Sequence, residues 1–249
     1  MRNQLTGLLK RGLPYSMYRK LARFTRNPPV GRVDFGDLGS TEPISRDWGF
    51  DRGTAIDRYY IEQFLSRNTA DIKGRVLEVG DNTYTKRYGS DQIISSDVLH
   101  VSADDPRATI VADLTAADHI PSDSFDCIIC TQTLHFIYDV EAVIQTLFRI
   151  LRPGGVLLVT APGISQISRY DMDHWGDYWR FTSASIRRLL ADVFTEQCTN
   201  VIVYGNILSA VAFLHGLAVE ELTREQLDSA DPDYEVLLAV RAVKPESAG

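Results

Sequence analysis

The chain has 249 residues, of which 44% are hydrophobic and 24% charged. This is the composition of a globular protein and excludes disordered and collagen-like classes; the length suits one large domain, or a domain with a terminal arm. The net charge of −7 argues against nucleic acid as the partner. No apolar run reaches the ~18 residues of a membrane span, and the longest, Ile207 to Val219, contains His215. The basic N-terminus is not followed by a continuous apolar stretch, so no signal peptide is read and a cytoplasmic location is expected.

The first thirty residues contain Arg2, Lys10, Arg11, Arg19, Lys20, Arg23 and Arg26 and no acid. Of the chain's 26 basic residues seven lie there, so the remainder has 19 against 33 acidic ones, a balance of −14. Such an arm could make a weak contact with an anionic membrane surface or an acidic partner. It could equally be a solvated helix packed on its own domain through Leu5, Leu8, Leu9, Leu21 and Phe24. Asn27-Pro-Pro-Val-Gly31 reads as a linker, because two prolines stop a helix and a glycine permits a turn. Residues 32 to 53 are rich in Gly, Asp and Arg and read as an irregular lid. Two regions are therefore expected, an arm and lid over 1–53 and a folded domain over 54–249.

A helix is expected from Thr54, with Asp57 completing a capping box and Ile56, Tyr59, Tyr60 and Phe64 at helical spacing. Strands and helices then alternate. Strands are read at Arg75 to Gly80, Ile93 to Leu99, Ala108 to Asp113 and Phe125 to Thr131. A helix over Val140 to Leu151 has Asp139 as its N-cap and Gly154-Gly155 beyond its end. The strand Val156 to Ala161 follows, then a helix over Ser183 to Phe194 capped by Thr182 or Ser183. A strand at Gln197 to Tyr204, a helix near Ile207 to Val219 and a strand at Tyr234 to Val243 close the chain. Strands rich in Val, Ile and Leu between helices give a mostly parallel sheet covered on both faces. Ligands of such sheets bind at the carboxyl ends of the strands.

Cys127 and Cys130 form a C-x-x-C within the fourth strand. Residues three apart on a strand point to opposite faces, so the pair reads as two core thiols, and no metal is expected.

The polar residues fall at the strand ends. The first strand runs into Glu78, Gly80, Asp81, Asn82 and Tyr84, where a glycine lets backbone approach a ligand beside a carboxylate. Asp97 and Val98 end the second, and an acid about twenty residues beyond the first strand can accept from both hydroxyls of a ribose. Asp113 and Leu114 end the third, and Thr131, Gln132 and His135 follow the fourth. Four such ends suit a nucleoside-bearing cofactor.

With these motifs the chain resembles the class I S-adenosylmethionine-dependent methyltransferases, most closely the type 11 methyltransferase domain family. Leu151-Arg-Pro-Gly-Gly-Val-Leu-Leu-Val159 is typical of that family, as are Phe125-Asp126, Thr133-Leu134-His135 and Asp139. The resemblance implies a Rossmann-like, mostly parallel seven-stranded sheet with helices on both faces and a reversed C-terminal strand pair. It also implies an enzyme that uses S-adenosyl-L-methionine. Glu78 and Gly80, with Asp81 and Asn82, would flank the methionine part. Asp97 and Val98 would hold the ribose, Asp113 and Leu114 the adenine, with Thr131 and Gln132 nearby. The family's first motif has three spaced glycines; here Asn82 and Tyr84 stand at the second and third. Asn82 is expected to preserve the left-handed turn, and Tyr84 to narrow the pocket or shift the helix start.

The loop after the fifth strand, Ser168 to Thr182, is dense in aromatic and charged residues. Arg169, Tyr170, Trp175 and Tyr178 could bind the acceptor, while Trp179, Arg180 and Phe181 read rather as structural. Arg52 and Tyr60, beside Asp57 and Arg58, are second candidates, in a segment that could be a lid or a structural wrap. A proton acceptor is expected at His174 first and His135 second. Together these imply O-methylation of a small-molecule or glycan acceptor. A degenerate domain that binds a partner without catalysis is the alternative, and a nucleic-acid methyltransferase is disfavoured by the acidic body.

Overall fold

The computed structural model describes Pro14, Ser16, Met17 and residues 28–246. The basic side chains of the arm and the leucines expected to pack it lie outside the described residues. The chain forms two compact units, residues 1–43 and 44–249. Residues 28–43 of the first unit are irregular apart from a 3-10 turn at Gly36–Gly39, and largely exposed. No helix among the described residues is long and apolar enough to cross a membrane.

The second unit carries α1 (Ile56–Arg67), β1 (Gly74–Val79), α2 (Thr83–Tyr88), β2 (Ile93–His100), β3 (Ile110–Val111), β4 (Phe125–Thr131) and α3 (Val140–Ile150). It continues with β5 (Leu151–Pro162), α4 (Arg169–His174), α5 (Ser183–Phe194), β6 (Thr199–Tyr204), α6 (Ile207–Leu214), α7 (Arg224–Asp228) and β7 (Leu237–Val243). The strands form one seven-stranded sheet in the order β3-β2-β1-β4-β5-β7-β6. β1 to β5 pair in parallel, and β7 runs antiparallel between β5 and β6. This is the expected Rossmann-like architecture, with the reversal carried by β7. The strand order changes direction at β1 and β4, so their carboxyl ends open the crevice where a ligand binds.

Alternation along the strands builds two cores. Leu77, Ile128 and Val159 face α3 and α5, whereas Val76, Cys127, Ile129 and Leu158 face α1 and α6. Cys127 and Cys130 fall into opposite cores, as their spacing requires. Burial pushes the Cys127 thiol up and that of Cys130 up to about 12, so neither is a thiolate near neutral pH. The caps read from sequence hold for α3, where the Ala142 N–H donates to Asp139 at 3.0 Å, and for α5, where Thr182 and Ser185 cap each other.

Several expected boundaries shift. Thr54 is no cap: its N–H and hydroxyl donate to Glu220, both at 2.9 Å, and Ala55 occupies the cap position of α1. β3 is reduced to Ile110–Val111 because only Leu99 and His100 remain to pair with it. β5 starts at Leu151, where it meets Phe125, and a register irregularity absorbs the glycines. β7 begins at Leu237 rather than Tyr234. α6 stops at Leu214, since Gly216 turns the chain with φ +70.

That turn fastens the residues ahead of α1. The His215 carbonyl accepts from the N–H groups of Ile44 and Ser45, both at 3.0 Å. A Cβ on Gly216 would lie 2.2 Å from the Ser45 carbonyl oxygen. Gly216→Ala therefore combines a left-handed backbone with a clash. It is expected to lower stability by about 1–3 kcal/mol in chemical denaturation, with hydrogen exchange rising first over residues 44–53.

Candidate functional site

The rim of the crevice starts at β1. Glu78 is buried, and its carboxylate accepts from the N–H groups of Tyr84 at 3.1 Å and Thr85 at 2.7 Å and from the Thr85 hydroxyl at 2.7 Å. Burial raises its pKa, against the opposing effect of those bonds. Gly80 takes φ +95, and a Cβ there would meet nothing within 4 Å, so the space beside it is open. Asp81 accepts from the Thr83 N–H at 2.8 Å. Asn82 does not take the left-handed conformation expected of it: its φ is −121. The two Glu78 oxygens, rather than a second glycine, shape this turn. Tyr84 does not obstruct the rim either; it packs against the core that holds α1, and its hydroxyl accepts from Arg58 at 3.2 Å.

β2 continues to His100, three residues beyond Asp97. Asp97 pairs across the sheet with Leu77, one residue before Glu78, and its carboxylate is held by Arg75 at 2.8 Å and the Thr109 hydroxyl at 3.0 Å. Val98 is buried within the strand. The acids at the rim itself are Asp81, Asp104, Asp105 and Asp113. Arg107 bridges two of them, at 2.6 Å from Asp105 and 3.6 Å from Asp81. Asp113 follows β3 and accepts from Thr115, and Leu114 is buried beside it.

An open cleft of about 210 Å³ adjoins the ends of β4 and β5. Gln132 and His135 come from the turn after β4, Asp57 and Arg58 from the start of α1, and Ser165, Ser168, Asp177 and Arg180 from the loop after β5. Trp48, Phe50, Phe136 and Phe213 supply aromatic walls. Asp177 is buried; desolvation opposes its charge, but Arg180 at 2.5 Å and the Ser168 N–H at 3.0 Å outweigh that and hold its carboxyl below the usual range. Arg180 also donates to the carbonyls of Ser165 and Gln166. It is a structural tie, as expected, and lines the cleft as well. Burial lowers His135 to about 4, partly opposed by Asp177, so its imidazole is neutral near pH 7. Among the described residues, no group of three or more His, Cys, Asp or Glu could hold a metal ion.

The other expected acceptor residues lie elsewhere. His174 is exposed at the end of α4, its ring stacked on Tyr170 and its Nδ1 2.6 Å from the Tyr170 carbonyl. Arg169, Tyr170, Trp175 and Tyr178 are exposed, and none lines the cleft. Their density in aromatic groups comes from surface stacking, with Tyr138 between Tyr178 and Trp179. Tyr60 is a core residue, stacked on Tyr204 and donating its hydroxyl to the Leu227 carbonyl. Arg52 is paired with Glu221. Sequence reasoning named Asp57 both as half of a cap and, with Arg58, in the second candidate segment, and passed over Ser165, Gln166, Phe136 and Phe213. A polar residue in the first turn of a buried helix was the one available signal, at Asp57.

The profile of the methyltransferase domain family matches residues 10–197. No curated protein sequence matches the chain. Among solved structures, the [4+2]-cyclase SpnF is similar in fold, with a TM-score of 0.52 at 17% identity over 83% of this chain and 88% of that one. A SAM-dependent methyltransferase from Archaeoglobus fulgidus aligns with a TM-score of 0.49 at 11% identity, covering 75% of this chain and 94% of its own. With a family match over most of its length and the sheet order described above, the chain belongs to the methyltransferase domain family, as a class I S-adenosylmethionine-dependent methyltransferase.

Proposed function

We propose that this protein O-methylates a small polar or sugar-like acceptor held in the cleft beside the cofactor rim. The observation that carries this reading is the position of Gln132. It follows directly on the end of β4, where the rim is formed, and it lines the cleft. Acceptor and methyl donor would therefore meet at one strand end. S-adenosylmethionine, when bound, supplies an electrophilic methyl group on a sulfonium.

The rim fits such a cofactor. Gly80 leaves open space beside its backbone, Asp81 and Asn82 continue that loop, and Glu78 fixes its shape. Asp113, exposed beyond β3, would accept from an adenine amino group, while Leu114 anchors that turn in the core. Asp97 is the exception in the expected set, because Arg75 and Thr109 already hold its carboxylate. We assign the ribose instead to Asp104 in the turn after β2, which is exposed and accepts only from Ser102, whereas Arg107 holds Asp105. Trp48 and Phe50 wall the cleft from the segment ahead of α1, which supports a lid role for that segment. Catalysis is then largely positioning and exclusion of water, and His135, facing the cleft, replaces His174 as the histidine that can contact the acceptor.

The cofactor assignment is tested by calorimetry on folded variants. Asp113→Ala is expected to weaken S-adenosylmethionine binding at least tenfold, the loss of roughly one charge-assisted hydrogen bond. Asp97→Ala is expected to change it less than threefold while lowering thermal stability. The reverse pattern would return the ribose to Asp97, and no binding by the wild type would remove the methyltransferase reading altogether.

The neutral state of His135 has its own signature. Its pKa falls from about 6.5 unfolded to about 4 folded. The unfolded chain therefore takes up the proton first as pH drops, so stability is complete above about 6.5 and declines toward 4. The decline attributable to this residue is roughly 3 kcal/mol. Denaturation of His135→Gln between pH 7 and 4 is expected to show a visibly flatter loss than the wild type.

A further inference from the structure

Three residues that line the cleft each hold one buried side-chain atom with no hydrogen-bond partner: Asp57 Oδ1, Gln132 Oε1 and His135 Nδ1. A buried polar atom left unpaired costs about 1–3 kcal/mol, so three around one small space call for an occupant. Their chemistry says what kind. The Gln132 amide nitrogen lies 3.4 Å from Asp57 Oδ2. A carboxylate only accepts, so the amide orientation is fixed and the Gln132 oxygen is left for the cleft. Neutral His135 accepts at Nδ1 when its proton sits on Nε2. With that tautomer all three atoms receive hydrogen bonds, and an occupant that donates them satisfies the whole set.

The backbone reports the same site. Gln132 has φ +48, a left-handed conformation that costs a non-glycine residue about 1 kcal/mol or more and clusters at ligand sites. The cations at the cleft have acids beside them: Arg180 binds Asp177 and two carbonyls, and the charge of Arg58 is offset by neighbouring Asp57. The Asp57 carboxylate sits in the first turn of α1, where the helix N-terminus favours negative charge. Burial raises its pKa, against Arg58 and the Gln132 amide, which brings it toward the range of an effective proton acceptor.

We propose that Asp57, Gln132 and His135 form an acceptor-recognising cradle for neighbouring hydroxyls of a neutral polyol, and that Asp57 Oδ1 takes the proton of the hydroxyl that is methylated. This rests on the O-methyltransferase reading above. As the acceptor oxygen gains the methyl carbon, the S–CH₃ bond breaks and the sulfonium becomes a thioether. The hydroxyl proton passes to the carboxylate, so one positive and one negative charge disappear together and no further reactant is needed. Phe50 and Trp48 would cover the apolar face of the polyol while the three acceptors hold its edge.

The test uses the full chain with S-adenosylhomocysteine and glycerol as a minimal polyol. Side-chain amide signals of Gln132 and imidazole nitrogens of His135 are followed by NMR. Glycerol is expected to shift both saturably, inorganic phosphate neither, and Asp57→Ala to weaken the glycerol response at least tenfold. Asp57→Asn supplies a stability readout. A carboxylate kept for a ligand destabilises the empty fold above its raised pKa, so this variant is expected to melt about 2–4 °C higher at pH 8. A carboxylate that supports the fold would instead give a lower melting temperature and overturn the proposal. So would a phosphate response, no glycerol response, or one indifferent to Asp57. Tighter binding of methylammonium than of glycerol would reassign the cradle to an amine and overturn the hydroxyl. S-adenosylmethionine affinity, measured on the same samples, separates failure of the cradle from failure of the methyltransferase reading.

Discussion

The buried carboxylate of Glu78 is the interaction on which both halves of the site depend. At the end of β1 it accepts three hydrogen bonds from the start of α2, two of them at 2.7 Å. Bonds to a charged acceptor contribute about 1.5–3 kcal/mol each, which offsets the cost of removing that carboxylate from water. The turn from Gly80 to Tyr84 is thereby held without the second and third glycines of the family pattern. A side chain at the third position then becomes tolerable, and Tyr84 uses it to reach Arg58 at the start of α1. Arg58 in turn lies over the Phe50 ring at 5.9 Å. One carboxylate therefore sets the loop after β1 and, through Tyr84, the helix start that carries Asp57 to the cleft.

Much of this fold was legible because its signals are local or periodic. The strand alternation gave the two-faced sheet, and the caps at Asp139 and Thr182 are short-range hydrogen bonds with fixed offsets. The opposed faces of Cys127 and Cys130 follow from strand geometry alone. Register was less legible. Asp97 reads as a strand-end acid by its distance from Glu78. Its height in the sheet is instead set by pairing between β1 and β2, which places Leu77 opposite it and runs the strand on to His100. Pairing of this kind joins residues about twenty apart, and no single segment encodes it.

The acceptor side was harder for a different reason. Its lining comes from segments before α1, at the start of α1, after β4, after β5 and within α6, so no run of sequence is enriched in it. The segment that is enriched, Arg169 to Trp179, owes its aromatic density to stacking among Tyr138, Tyr178 and Trp179 on the surface. Asp57 looked like a capping residue because acids favour the first helical turn. Thr54, its supposed partner, is drawn away to Glu220, and Asp57 accepts from Gln132 at the cleft instead. The offset pattern was right about position and wrong about the partner.

The likeness to a cyclase shows why the reading must rest on the site rather than on the sheet. The same strand order hosts other chemistry, and a fold match at such low identity describes architecture only. Local features of this chain narrow the choice. A helix N-terminus stabilises one buried carboxylate, a strained glutamine turns its oxygen inward, and a desolvated histidine stays neutral beside them. Each carries an energetic cost that packing alone would remove by substituting an apolar residue. Three such costs around one small cleft are difficult to explain as structure. They are accounted for if a hydrogen-bond donor arrives there, because the same groups then offset their own desolvation when it binds.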